Sequence, residues 1–231
     1  MFWQEEHDAQ ETYRAPENVL EVAFKVACRA LPIDHAQALS DALHAVLPWL
    51  HEEPLAAVHT IHVAESGNGW IRPDDVDHDL LYLSRRTRLT LRLPAHRVAT
   101  ACALTGTTLD IAGNQLRVND ATIRKLIPMS TVFSRYVMAD DVDDEPRFLE
   151  TVYQQFCALG IQPRKMMPGK RHTVRTTHGP QLTRSLMLAE LTLEDSIVLQ
   201  EQGIGTGRLI GCGIFLPHKG IEAVGKPQSS A

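Results

Sequence analysis

From residue 20 the chain alternates: Leu20, Val22, Phe24, Val26 and Cys28 are interleaved with Glu21, Ala23, Lys25, Ala27 and Arg29. A period of two is that of a strand with one face buried, and Pro32 interrupts it. After Asp34, the predicted N-cap, the spacing lengthens. Leu39, Leu43, Val46, Leu47 and Leu50 form one stripe, predicting a helix to about Trp49 that Pro48 distorts near its end. Strands are predicted over 58–63, 80–83 and 88–93, with Ser66-Gly67-Asn68-Gly69 as a turn. A helix follows Pro94 over about 95–104, then strands at 108–111 and 116–118 around Ala112-Gly113-Asn114. The order is β-α-β-β-α-β with an added hairpin.

The pattern then starts again. Residues 131–138 predict a strand apolar on much of both faces, and Phe148, Val152, Phe156 and Leu159 mark a helix that Gly160 ends. Residues 161–165, 173–176 and 182–188 predict two or three strands around a basic loop. A helix over 193–202, a glycine-rich loop and a final strand over 212–216 close the second unit. The predicted fold is therefore α+β: two tandem ferredoxin-like (RRM-like) βαββαβ units with a C-terminal glycine-rich loop. The predicted boundaries are an N-terminal arm over 1–18, a first domain over 19–129 and a second over 130–225.

At 231 residues, 44% hydrophobic and 22% charged, the composition is that of a folded globular protein and excludes dominant disorder. No apolar run approaches the roughly 18 residues of a membrane helix, and the start is acidic where a signal peptide is basic. Cys28, Cys102, Cys157 and Cys212 contain no Cys-x-x-Cys pair. They read as buried thiols in a reducing compartment, so a cytoplasmic protein is expected.

The net charge of −5 argues against a nucleic-acid partner until its distribution is considered. Acids crowd the start and the patch Asp140, Asp141, Asp143, Asp144 and Glu145. Between Gln162 and Leu188 there is none, while Arg164, Lys165, Lys170, Arg171, Arg175 and Arg184 lie there. Arg85, Arg86, Arg88 and Arg92 form a second basic group. This segregation predicts a polyanion-binding face opposite an acidic one.

The densest motif is Gly203-Ile204-Gly205-Thr206-Gly207-Arg208-Leu209-Ile210-Gly211-Cys212-Gly213-Ile214-Phe215. Glycines permit positive φ and let a phosphate approach backbone N–H groups. A nucleotide P-loop is excluded by order, because this loop follows a helix and precedes a strand. In a tandem ferredoxin-like chain the motif resembles that of the RAMP proteins. With Leu31-Pro32-Ile33-Asp34-His35, Leu47-Pro48-Trp49-Leu50-His51-Glu52-Glu53-Pro54, Leu81-Tyr82-Leu83-Ser84-Arg85-Arg86 and Ser185-Leu186-Met187-Leu188, the chain resembles the CRISPR repeat-RNA (pre-crRNA) endoribonuclease of the MYXAN subtype. The resemblance spans about residues 19–220.

The resemblance implies metal-independent cleavage of a repeat stem-loop, with the RNA 2′-OH as nucleophile and a 2′,3′-cyclic phosphate as product. The protein then orients the 2′-OH, moves protons and neutralises the phosphorane. It implies no cofactor and no metal, repeat RNA as partner, and retention on the product within a type I interference complex. A catalytic histidine is implied in or just after the first helix, where His51, His35 and His44 qualify in that order. No tyrosine lies between Tyr13 and Tyr82, although many relatives place one near this histidine. RNA contacts are expected from Lys170, Arg171, His172, Arg175 and Arg184. Further contacts are expected from Gly203, Gly205, Gly207, Arg208, Gly211, Gly213 and Lys219. Alternation places Arg171, Thr173 and Arg175 on one face. The pair His59-x-x-His62 is not expected to bind metal, since residues three apart on a strand face opposite ways. The rival reading is a RAMP subunit that holds guide RNA without cutting it.

Overall fold

The computed structural model describes residues 13–62 and 80–219. Most of the predicted arm, the turn at 66–69, the end of the strand predicted over 58–63 and residues 220–225 lie outside them. In chain order the elements are β1 (Val19–Ala27), β2 (Ala30–Pro32), α1 (Ala36–Val46), β3 (Ala57–Val58), β4 (Leu80–Tyr82), β5 (Arg88–Pro94), α2 (Ala95–Ala101), β6 (Thr108–Ile111) and β7 (Asn114–Lys125). Then come β8 (Val132–Val137), α3 (Glu145–Ala158), β9 (Lys165–Thr176), β10 (Gly179–Ala189), α4 (Leu193–Gln202) and β11 (Leu216–Pro217). Short 3-10 turns occupy Pro48–His51, Cys102–Leu104 and Arg208–Ile210. No helix among the described residues is long and apolar enough to cross a membrane.

Two antiparallel sheets organise the chain. The first has the order β3-β5-β1-β7-β6 and the second β11-β8-β10-β9, while β2 and β4 pair as a separate ribbon. In the first, Val22 and Phe24 of β1 and Leu89, Leu91 and Leu93 of β5 meet Leu39, Leu43, Leu47 and Leu50 in one core. In the second, Phe148, Val152 and Phe156 of α3 pack on Val132, Val137, Leu186, Leu188 and Phe215. Helix α3 begins where the Asp144 carboxylate accepts the Arg147 N–H at 3.3 Å, and α4 where Thr192 Oγ1 accepts the Asp195 N–H at 3.0 Å.

Several predicted bounds move, each for a local reason. Pro48 cannot continue a helix, so α1 stops at Val46, which is 41% exposed and leaves the stripe. Asp34 caps nothing there: His35 holds the N-cap position with no side-chain cap, and Asp34 pairs instead with Arg175 at 3.4 Å. The strand predicted over 116–118 lies near the start of a twelve-residue strand, β7, whose outer face is mostly polar. The strands predicted over 173–176 and 182–188 belong to one long hairpin, β9–β10, while of the strand predicted over 161–165 only Lys165 is in it. The final strand is only Leu216–Pro217, because residues 203–213 form a folded loop.

Buried side chains from both units join them. Ala36 packs with Tyr136, Val174, Ile210 and Cys212, and Val19 with Leu126 and Ile197. Arg92 of β5 is fully buried, donating to Glu21 Oε1 at 2.6 Å, to Gln200 O at 2.7 Å and to Phe215 O at 3.0 Å. The expected place of Arg92 in a basic surface group is thus corrected: its charge is spent across the junction.

Candidate functional site

The three histidines around α1 have different surroundings. His35 is 3% exposed; its Nδ1 faces Pro32 O at 2.9 Å and Ile33 O at 3.1 Å, so it donates, and Nε2 accepts the Ile61 N–H at 3.0 Å. Burial pushes its pKa below the ordinary 6.5. With both nitrogens hydrogen-bonded, His35 ties α1 to the segment after β3. His51 ends the turn that Pro48 starts, is exposed, and meets His44 edge-on with ring centroids 4.0 Å apart.

A groove of about 470 Å³ opens beside His51. Gln37 and Ser40 of α1 form one wall with His51, and Thr176, Thr177 and His178 at the β9–β10 tip form the other. Its floor includes Gly207, Leu209 and Ile210 of the glycine loop. His44 and His35 do not line it. Sequence reasoning passed over His178, Gln37 and Ser40. His178 stood in the acid-free window, but only the hairpin's full length shows that Thr177-His178 is its tip.

The glycine loop is built differently from expectation. Gly203, Gly205, Gly207, Gly211 and Gly213 all have positive φ, between 63 and 84°. Protein atoms crowd the space their Cβ atoms would take: at Gly213 a Cβ would lie 2.0 Å from Ile204 O, at Gly205 2.3 Å from Met138 O, and at Gly211 2.5 Å from the Thr60 side chain. Most loop N–H groups have protein acceptors, as Gly213 N–H with Tyr136 O at 2.7 Å and Gly205 N–H with Gln155 Oε1 at 2.7 Å. Gly203, Gly211 and Gly213 are buried and act as close-packing positions of the loop. Arg208 donates to the carbonyls of Gln202 and Glu201 at the end of α4 and to Leu55 O at 3.3 Å. It caps a helix C-terminus and grips the first unit. Burial, with repulsion from Arg92, pushes its pKa down to about 10.

The basic hairpin meets the acids that sequence separation hid. Arg171 pairs with Asp143 at 2.5 Å, Arg175 with Asp34 at 3.4 Å, and Lys165 with Glu190. Arg184 is 7% exposed, donating to Val142 O at 3.1 Å and Glu145 at 2.6 Å over the Phe148 ring. It supports the α3 entry. Asp143 and Glu145 of the acidic patch therefore meet the basic hairpin instead of facing away from it. The alternation holds: Arg171, Thr173 and Arg175 are exposed, while His172 turns inward to Tyr136, ring centroids 5.3 Å apart. Lys170 and Lys219 are exposed. His59 lies against Glu21 at 3.6 Å, and His62 against Thr60 at 2.8 Å.

Residues 20–220 match the family model described as Cas6 Crispr. A protein of Myxococcus xanthus (strain DK1622), described as CRISPR-associated endonuclease Cas6, is 34% identical over 198 residues, 86% of this chain and 81% of that one. A solved structure described as "CRISPR associated protein Cas6" has a TM-score of 0.60 at 11% identity, covering 87% of this chain and 99% of its own. Another, "An RAMP protein binding different RNA substrates", has a TM-score of 0.59 at 14% identity, covering 87% and 99%. At these identities the two structures share the fold.

Proposed function

The chain belongs to the Cas6 CRISPR family, and on that premise we propose that it is an endoribonuclease that binds and cuts the repeat stem-loop of CRISPR precursor transcripts to release guide RNAs. The 2′-OH beside the scissile phosphate attacks phosphorus. A 2′-O–P bond forms, the P–O5′ bond breaks, and a 2′,3′-cyclic phosphate and a 5′-OH result. His51 takes the 2′-OH proton, a role suited to imidazole, whose ordinary pKa is near 6.5. The reaction needs no metal in this reading, since the nucleophile is internal to the RNA.

The observation that carries the proposal is the position of His51: alone among the three α1 histidines it lines the groove over the glycine loop. Of the residues expected to contact RNA, Lys170, Arg171, Arg175 and Lys219 are exposed cations, Arg171 and Arg175 with acids beside them, and such a row suits an RNA backbone. Both sheets support reading 19–129 and 130–225 as ferredoxin-like domains. In each, the first strand lies between the third and the last, and the second strand sits outside the third; the first adds β6.

The test is labelled repeat RNA incubated with the protein in EDTA. Site-specific cleavage is expected, and His51→Ala should lower its rate at least about a hundredfold with binding retained. Tight binding without a cut by the unmodified protein would establish the non-catalytic subunit instead. Activity abolished by chelation would overturn the metal-free route.

A further inference from the structure

We propose that His178, at the β9–β10 tip, is the general acid that protonates the departing O5′ oxygen. The inference rests on the cleavage reading above and adds its second proton carrier. Cleavage by an internal 2′-OH needs two proton transfers, one from the nucleophile and one to the leaving group. Among the described residues lining the groove, the titratable side chains are two imidazoles, His51 from the first unit and His178 from the second. The lining contains no lysine, arginine, carboxylate, tyrosine or cysteine. Its other polar side chains are hydroxyls and carboxamides, which do not release a proton readily near neutral pH.

The tip holding His178 is fixed. The His178 N–H donates to Thr176 Oγ1 at 3.1 Å, and Thr176 Oγ1 donates to Gly179 O at 2.9 Å. Three residues before His178, Arg175 pairs with Asp34, and four before it Val174 packs on Ala36 and Ile210. The hairpin is therefore docked on the start of α1 and on the glycine loop, the two elements that frame the groove. An ordinary exposed turn histidine has no such docking. The proton account balances: the 2′-OH proton passes to neutral His51, His178 in its imidazolium form gives one to O5′, and exchange with water restores both. Such a pair produces a bell-shaped dependence of rate on pH.

The experiment uses the full chain under single-turnover conditions on two repeat RNAs. One has the natural 5′ oxygen at the mapped cut and the other a 5′-bridging sulfur, a leaving group that departs without protonation. His178→Ala should slow the oxygen substrate at least about a hundredfold, abolish the alkaline fall of the pH–rate profile, and leave RNA affinity unchanged. It should cut the sulfur substrate at the wild-type rate. His51→Ala should slow both substrates. Equal loss on both by His178→Ala, or no loss on the oxygen substrate, overturns the assignment, since a structural or binding role is not rescued by sulfur. Undiminished cleavage of both by His51→Ala would instead refute the base, leaving the His178 result to be judged on its own ratio of rates.

Discussion

Replacing Arg92 with methionine tests the junction between the two units. Methionine occupies much of the same space but removes the donors to Glu21, Gln200 O and Phe215 O. Breaking a buried ion pair from one side costs about 3–5 kcal/mol. His59 lies 3.6 Å from the same carboxylate and is held neutral, its pKa pushed down to about 3 by burial and by Arg92. With Arg92 gone it can gain a proton and partly replace the charge, so ~3 kcal/mol is the working figure. For a urea slope of ~2 kcal/mol/M this moves the unfolding midpoint by about 1.5 M. The loss depends on pH. Burial alone raises the Glu21 pKa, but Arg92, aided by His59, outweighs it and holds the carboxyl below its ordinary 4.5. In the native chain this contribution is present above 4.5 and lost as the pH falls through the lower folded value. In Arg92→Met burial prevails, the folded pKa lies above the unfolded one, and stability falls as the pH rises through it. The gap between the two proteins is therefore widest at pH 7 and closes towards pH 4. Equilibrium urea unfolding followed by tryptophan fluorescence and circular dichroism measures it. A gap below ~1 kcal/mol at pH 7, or one of constant size, refutes the reasoning.

Two further outcomes are expected. Gly213→Ala places a Cβ against Ile204 O and should destabilise by more than the ~1–2 kcal/mol of left-handed strain alone, whereas Gly113→Ala, with φ +82 and nothing within 4 Å, should cost only that strain; equal losses in thermal melts would contradict the packed loop. His35 and His59 are both held neutral, so stability is present above 6.5 and declines as the pH is lowered, for His59 across the window from 6.5 to about 3. His35→Gln should make the fall in melting temperature between pH 7 and 5 less steep, and an unchanged slope would count against a neutral His35.

Legibility of the sequence varied with how local the cause was. Helix α4 was readable to the residue, since Thr192 begins it, its apolar side chains follow, and Gly203 stops it. The β9–β10 hairpin was not, because Pro168 and Gly169 interrupt the pattern inside β9, yet an outer strand tolerates them. The five glycines were visible, but not the Ile204 and Met138 carbonyls that fill the space beside them. Charge runs were visible, but not that Asp143, Glu145 and Asp34 fold back onto Arg171, Arg184 and Arg175. His51 could be ranked by resemblance. Its separation from His35 depends on hydrogen bonds to Pro32, Ile33 and Ile61, which no spacing reveals.

Among the described residues strand β9 lies at the margin of its sheet, and such an edge is a template on which a second copy adds. Lys165, Lys170, Arg171 and Arg175 set charged side chains along that margin, three of them beside Glu190, Asp143 and Asp34, and charged side chains on an edge hinder strand addition. The cations suited to holding phosphate thus also discourage self-association. Stripping them together would unmask an adhesive rim, and the resulting clumping would mimic lost RNA affinity. Sedimentation of each charge-neutralised variant separates the two.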